Sequence, residues 1–497
     1  MVALLAGGFF RLLAVFFSKG FGMHDDHFLV IEAAQSWVDG YDYDDWFPES
    51  GAKTPSGHNF FYPGLHYLLF KFLEFINITD AQVKMYVVRF LHALLSLVTI
   101  VYAYRITQHY SDKKQAGMAA LLLALLFFMP VLSVRNLAEV VCVPFLLMAT
   151  WHIIKAEKTQ HLKWFFFSGL MAGFAFSFRY QTVFFIGGFG LYLLMHKEWK
   201  GTVLFSIGTL LVALTTQGIV DIYNWGYPFA EFMGYLQYNI KYAEAYFTKP
   251  WYMYLPLIAG ILIPPISIFL CIGYIRTWRK YLLIFLPSFL FLVVHSYFPN
   301  KQERFIFPVF PFIIMSGIMG WHAFKNRSGF WQKNTKLYRA CWIFFWTVNA
   351  APLCFLSVAY IKKDRVEAMR YLSNKKMNAL LIEDRTSDEF IMPVQFYMEQ
   401  WPQVYGLNNK MDYDSLKTSL KGIPLERFPA YVIFIKDDNL QQRLTDFENQ
   451  FAGLKFETTV KGGMLDATMH WLNPVNKFQH YHIYRIDYSG GLRGEQK

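Results

Sequence analysis

The sequence predicts an α-helical, multi-spanning membrane protein of about eleven transmembrane helices, followed by a small C-terminal α/β domain. Three observations predict this. Hydrophobic residues make up 55% of the 497-residue chain and charged residues only 17%, below the roughly one quarter usual in soluble proteins. Apolar runs of about twenty residues, enough to cross a bilayer, recur up to residue 360. Beyond Ile361 the pattern changes to short apolar strands between polar stretches of helical period.

The candidate spans are 2–20, 86–107, 116–134, 137–154, 163–180, 183–196, 202–220, 252–275, 281–298, 304–321 and 338–360. The first is interrupted by Arg11 and has no small-residue cleavage site after it, so it reads as a retained helix rather than a removed signal. Cations gather in the loops holding Lys113/Lys114, Lys155/Lys158/Lys163, Lys197/Lys200, Arg276/Arg279/Lys280 and Lys325/Arg327/Lys333/Lys336. With eleven crossings these loops share one side, which the positive-inside rule makes cytoplasmic together with the N-terminus. The 21–85 loop, the 221–251 loop, the 299–303 turn and the tail then lie on the outer side. The net charge of +11 is therefore topogenic, and without a basic stripe interleaved with aromatics no nucleic-acid partner is expected. Cys142, Cys271, Cys341 and Cys354 sit in or at the end of apolar runs with no metal or framework spacing, and read as packing residues.

Within the 21–85 loop, Phe60 to Ile76 is apolar and aromatic but too punctuated to span, and is expected to lie as an interfacial helix. Tyr41-Asp42-Tyr43-Asp44-Asp45-Trp46 reads as a hydrated loop, since an oxygen-ligand ion site needs more partners. His58 and His66 match no zinc pattern. No metal or cofactor is expected. Residues 361–497 read as a soluble outer-face domain, with strands at 379–383, 431–435 and 481–487 and helices around 388–400 and 437–451. This domain has no glycine-rich phosphate loop or nucleophile motif, and its expected role is a cap over the outer loops.

Two polar clusters can carry chemistry. Gly22 to Glu32 places Asp25, Asp26, His27 and Glu32 directly after the first apolar run, and acids at a membrane boundary are costly enough to be functional candidates. His295 to Pro311 contains Lys301, Glu303 and Arg304 in an outer turn, where two cations exceed one acid and suit a lipid phosphate. Arg135 and Arg179 are further outer-boundary cations, with Glu139 as a candidate partner. A carboxylate that deprotonates an acceptor hydroxyl, beside cations that take up charge on a departing phosphate, suits transfer from a lipid phosphate. With no Rossmann-like unit or glycine fingerprint for a nucleotide sugar, the donor has to reach the site from within the membrane.

Asn300-Lys301-Gln302-Glu303-Arg304-Phe305-Ile306-Phe307-Pro308 resembles the His-Lys-Glu-x-Arg-Phe-x-x-Pro signature of the family 22 mannosyltransferases, the Alg9-like and GPI-anchor enzymes of the GT-C superfamily. Asp25-Asp26-His27-Phe28 with Glu32 is similar to their first-loop Asp-Glu-x-Phe-x-x-x-Glu element. The resemblance covers residues 1–360, the GT-C-like domain, and reaches no relative for the tail. It implies a dolichyl- or other polyprenyl-phosphate-mannose donor, a lipid- or glycan-linked acceptor and inversion at the sugar carbon. It implies Asp25 as base with Asp26 beside it, and Lys301 and Arg304 near the donor phosphate. Glu303, His27, Glu32 and Arg179 complete the candidate binding set. Asn300, Gln302 and Asp26 depart from the signature and leave the sugar and acceptor open, because arabinose, glucose and aminoarabinose transferases share this architecture.

A non-catalytic lipid or glycan transporter, or a lipid-linked-glycan polymerase or ligase, are the alternatives. A transporter is expected to carry ionisable residues at mid-depth in several helices, whereas these cluster at one face. The expected location is a bacterial inner membrane, with the endoplasmic reticulum as the alternative; Asn77-Ile78-Thr79 is an outer-side glycosylation sequon.

Overall fold

The structure, a computed structural model, describes residues 1–245, 248–388 and 390–489; the side chains of Asp25 and Asp26 also lie outside the described set. The chain forms two compact units. One comprises Met1–Phe16, Asp25–Phe72 and Tyr86–Val358, and the other Phe17–His24, Leu73–Met85 and Ala359–Lys497.

The first unit is helical. Its opening helices are α1 (Val2–Phe16), α2 (His24–Val38), α3 (Phe61–Phe75), α4 (Ala81–Tyr110), α5 (Lys113–Leu125) and α6 (Met129–Ser133). Then come α7 (Ala138–Thr159), α8 (Lys163–Phe178), α9 (Val183–Met195), α10 (Trp199–Ala213), α11 (Ile219–Trp225) and α12 (Ala230–Lys241). The last six are α13 (Tyr254–Ile261), α14 (Ile266–Arg276), α15 (Leu282–Tyr297), α16 (Phe310–Arg327), α17 (Gly329–Lys333) and α18 (Thr335–Val358). Every apolar run read from the sequence is helical, 116–134 as the pair α5 and α6, and 252–275 as α13 and α14. Among the described residues five helical stretches, including Ala138–Thr159 and Thr335–Val358, are long and apolar enough to cross a membrane, and shorter apolar helices accompany them. The protein is a multi-pass membrane protein. The acidic stretch expected in a loop is instead the first turn of α2, where a helix N-terminus favours negative charge.

One buried charge in this unit is met largely by backbone. Arg11, the one interruption of the first apolar run, is buried in α1 and donates to the Leu123 and Ala124 carbonyls (3.3 and 3.1 Å), to Gly7 O and to Ser96 Oγ. Those two carbonyls are in the last turn of α5, which has no intrahelical donors left to offer them. A cation there completes the helix end.

Close helix packing rests on glycine, as membrane helices require when lipid supplies no hydrophobic drive. A Cβ on Gly169 of α8 would stand 2.0 Å from Phe205 O of α10, and one on Gly273 of α14 would stand 2.0 Å from Gly317 O of α16. Gly273→Ala is therefore expected to lower the thermal midpoint, at a cost of about 1–3 kcal/mol for overpacking. Gly187→Ala, whose Cβ meets nothing within 4 Å, is expected to leave it unchanged; equal midpoints would mean the two helices part freely.

The second unit holds a five-stranded sheet of order β2-β1-β3-β5-β4. Its strands are β1 (Ala379–Asp384), β2 (Gln403–Asn408), β3 (Pro429–Ile435), β4 (Gly453–Val460) and β5 (Tyr481–Asp487). The β2-β1-β3 portion is parallel, and β5 and β4 are antiparallel. Helices α20 (Tyr413–Leu420) and α21 (Leu440–Gln450) cover one face through Leu416, Leu420 and Phe447, with Phe451 just after α21, against Leu381, Val432 and Phe434. On the other face α19 (Lys363–Ser373) sends Tyr371 to Glu457 of β4 (2.7 Å), and α22 (Met464–Leu472) follows β4. The helix expected over 388–400 is a single 3-10 turn, Gln395–Met398. Pro393 removes a donor and biases the residue before it toward extended backbone. Segments 17–24 and 73–85 belong here through Ile361 N–H to Lys19 O (3.1 Å) and Ala81 N–H to Glu399 Oε1 (2.7 Å).

Candidate active site

The first unit contains a polar cavity of about 600 Å³ lined by the 56–59 loop, the start of α7, the end of α8, α12, and the 300–305 turn. At its centre is an ion cluster drawn from three distant parts of the sequence. Glu139 stands in the first turn of α7, 2% exposed, where the helix dipole favours a carboxylate. Arg179 ends α8 in extended backbone, and its carbonyl is held by the Thr182 hydroxyl at 2.8 Å. Arg304 enters from the 3-10 turn Glu303–Val309. Arg179 Nη1 lies 2.6 Å from Glu139 Oε1, and Arg304 Nε 3.6 Å from the same oxygen. Both guanidinium groups lie over the Phe305 ring, each 5.5 Å from its centroid.

Among the described residues two cations share one acid, so this trio by itself carries a net positive charge in a buried place. Arg179 Nε and Nη2 are buried with no hydrogen-bond partner among the described residues. Buried polar groups are nearly always satisfied, and these donors form part of a planar fork that matches phosphate or carboxylate geometry. The chemistry of the cluster calls for an anion.

The walls are aromatic and amide. Tyr235, Tyr238 and Asn239 on α12 and Tyr242 capping its end stand at i, i+3, i+4 and i+7, so one helix face meets the cavity. Gln181 donates to the Tyr235 hydroxyl. The opposite wall, Ser56 to Asn59, is held by the buried carboxylate of Glu231. Its Oε2 accepts from Ser56 Oγ (3.0 Å), Gly57 N–H (2.6 Å) and His58 N–H (3.1 Å), while Oε1 accepts from Trp225 Nε1 (2.8 Å). Burial raises the Glu231 carboxyl and these donors pull it back. Gly57 has φ +80°, and a Cβ there would press 3.1 Å from the Tyr235 backbone. Asn59 donates to Gln217 Oε1 (3.2 Å), and Gln217 to the Tyr180 hydroxyl (2.6 Å). Gln217 sits in the π-helical turn Leu214–Gly218 between α10 and α11, a distortion frequent at functional sites. Glu231→Ala orphans the Gly57 N–H, at about 1–3 kcal/mol, and leaves the His58 N–H with Ser56 Oγ alone, at 3.2 Å. It is expected to speed tryptic cleavage after Lys53; an unchanged cleavage rate would show that the loop holds itself.

An apolar branch of about 140 Å³ opens from the same walls at Tyr180, Tyr235, Asn300 and Phe305, and runs between Phe184, Phe232, Leu236 and Val294.

Of the candidate residues read from the sequence, Arg179 and Arg304 meet in the cavity, with Glu139 as their common partner. Helix α2 reaches the cavity through Leu29, one turn after Asp25 and Asp26, whose side chains lie outside the described residues. Lys301 is buried and its ammonium donates to the Phe298 carbonyl, bracing the turn. Glu303 forms a half-exposed pair with Lys249 at 3.2 Å. His27 is buried edge-on against Phe28, and its carbonyl accepts from Asn136 Nδ2 at 3.4 Å. Glu32 is buried on α2. Among the described residues none of these four lines the cavity. Asp42 gives both carboxylate oxygens to the loop, one to Trp37 Nε1 and one to Phe47 N–H, each at 2.9 Å. The sequence reading missed Glu231, Gln217, Asn59 and the α12 face. The tyrosine spacing in 235–242 was the one signal available for them.

Comparison with solved structures finds the same fold in ArnT from Cupriavidus metallidurans, solved bound to undecaprenyl phosphate. It has a TM-score of 0.57 and 12% identity, and the match covers 100% of this chain and 98% of that one. An Archaeoglobus fulgidus oligosaccharyltransferase has a TM-score of 0.50 and 10% identity, covering 98% and 73%. Among curated proteins, mouse alpha-1,2-mannosyltransferase ALG9 is 26% identical over 153 residues, 27% of this chain and 25% of that protein. Zebrafish GPI alpha-1,2-mannosyltransferase 3 is 23% identical over 309 residues, 59% and 54%. The chain thus aligns with a quarter to about half the length of these relatives. Residues 3–399 match one family model from end helix to tail domain, and the chain belongs to the Alg9-like mannosyltransferase family.

Proposed function

We propose that this protein is an inverting mannosyltransferase that uses a polyprenyl-phosphate-mannose donor and a hydroxyl of a lipid- or glycan-linked acceptor. The observation that carries the reading is the buried Arg179–Glu139–Arg304 cluster, whose Arg179 Nε and Nη2 have no hydrogen-bond partner among the described residues, on a cavity that branches into an apolar groove. A phosphate ester satisfies those donors, and a polyprenyl chain suits the groove. In the reaction the bond from the sugar carbon to the phosphate oxygen breaks, and its electron pair leaves on the phosphate. The acceptor oxygen forms the new bond on the opposite face and gives its proton to a carboxylate, for which Asp25 is proposed. Negative charge grows on the departing phosphate, where preorganised guanidinium groups stabilise it without reorganising.

Transfer is assigned to the outer face, the lumen of the endoplasmic reticulum in preference to a bacterial periplasm. The aligned curated relatives are from animals and yeast, and Asn77-Ile78-Thr79 falls in the first outer loop. The test is radiolabelled transfer by the purified full chain from polyprenyl-phosphate-mannose to a lipid and glycan extract, with analysis of the product's anomeric configuration. Inverted mannosyl product is expected. Activity confined to a glucose, arabinose or aminoarabinose donor would overturn the sugar. Silence with every donor would favour a transporter.

A further inference from the structure

A second cavity in the helical unit, about 290 Å³, lies between α3 and α4 and has a different chemistry. Each helix contributes the same pattern, Tyr62, Leu65, His66 and Leu69 on α3 and Val88, Leu91, His92 and Leu95 on α4, at i, i+3, i+4 and i+7. Val141 and Phe178 close the floor. Leu65 and Leu91, 42% and 46% exposed, stand at an open side. Among the described residues that line it, the polar side chains are two imidazoles and a phenol.

Hydrogen bonding fixes what those groups offer. His66 Nδ1 lies 2.9 Å from Tyr62 O and His92 Nδ1 2.7 Å from Val88 O. A carbonyl only accepts, so each Nδ1 carries the proton, and each Nε2 is an acceptor in the neutral ring. Burial keeps the His66 ring neutral, its pKa pushed down to about 3. His92 Nε2 takes the Tyr62 hydroxyl proton at 2.6 Å. His66 Nε2 has no donor among the described residues, and the Tyr62 oxygen keeps a lone pair. The cavity is thus apolar and presents acceptors without donors. It repels a phosphate, since acceptors cannot bind one, and an ammonium would lose its hydration without a counter-ion. What remains is a neutral donor on an apolar body.

We propose that this cavity binds an apolar lipid carrying a single hydroxyl, a sterol or a long-chain polyprenol, which donates its O–H to His66 Nε2. Phe178, the floor, directly precedes Arg179 and also lines the polar cavity, so an occupant braces the wall that carries the guanidinium.

The test reconstitutes the full chain in nanodiscs of saturated phosphatidylcholine. Diazirine-bearing sterol and polyprenol probes are compared, each as the free alcohol and as its O-methyl ether. Alcohol labelling of residues 61–69 or 88–95 is expected, with the ether weaker by about fivefold to tenfold, the worth of one hydrogen bond. Polyprenyl phosphate is expected not to compete. His66→Leu should abolish the preference for alcohol over ether while apolar labelling remains. The wild-type comparison stands by itself if that variant fails to fold. Labelling by only one of the two alcohols identifies the source. Equal labelling by alcohol and ether in the wild type would reduce the cavity to an acyl-chain groove and overturn the proposal, as would labelling elsewhere or by neither probe.

Discussion

Asp25→Asn is expected to remove mannosyl transfer while the protein still inserts, purifies and melts as the wild type does. The substitution keeps size and hydrogen-bonding capacity and removes one property, the ability to take a proton from the acceptor hydroxyl. A positioned general base contributes about 10²–10⁴-fold, so kcat should fall within that range. The donor KM should hardly move, because Arg179 and Arg304, which are proposed to bind the phosphate, lie on other elements. The support is positional. Asp25 precedes by one helical turn Leu29, which lines the cavity, and i and i+4 share a helix face. Asp26, three residues before Leu29, is the natural control: Asp26→Asn should cost less and act more on the acceptor KM. Full activity in Asp25→Asn with loss in Asp26→Asn would exchange the two roles, and full activity in both would remove the first outer acids from the chemistry.

The difference between what was legible in this sequence and what was not has a physical source. Spanning helices are legible because the bilayer fixes both their length and their apolarity. β1 and β3 are legible for a related reason, as the sheet interior demands apolar runs, and β5 is legible by its recurring aromatic and β-branched residues, Tyr481, Ile483, Tyr484 and Ile486. β2 and β4 are the two edges of the sheet, half-exposed along much of their length, and an edge strand needs no strong pattern. Charge partners were the least legible. Glu303 has Lys301 and Arg304 as neighbours in sequence, yet it pairs with Lys249 from another loop, while Arg304 finds Glu139. Sequence proximity does not set electrostatic partners when three helix ends converge. The Glu231 network has the same origin, since three of the donors named for it are 173 to 175 residues away.

Arg179→Met is expected to have two large effects that separate under a second substitution. The first is on stability. Glu139 is 2% exposed and loses its 2.6 Å partner, leaving Arg304 at 3.6 Å as the cation still near that oxygen; breaking a buried pair by removing one member costs about 3–5 kcal/mol. The second is on chemistry, because the fork proposed to satisfy the donor phosphate is gone. In Arg179→Met/Glu139→Gln the uncompensated charge is removed as well, so the thermal midpoint should return toward wild type while transfer remains lost. Arg179→Lys supplies the graded case: it keeps the charge against Glu139 but replaces a planar fork by a point charge, so stability should hold while the donor KM rises about tenfold, the loss of one charge-assisted contact. Recovery of transfer along with stability in the double variant would make the pair a structural brace and leave Arg304 to hold the phosphate. Loss of transfer in a double variant that melts normally would tie the Arg179–Glu139 pair to the donor, and a raised donor KM in a stable Arg179→Lys would assign the effect to the guanidinium fork, since that variant keeps Glu139 and the charge.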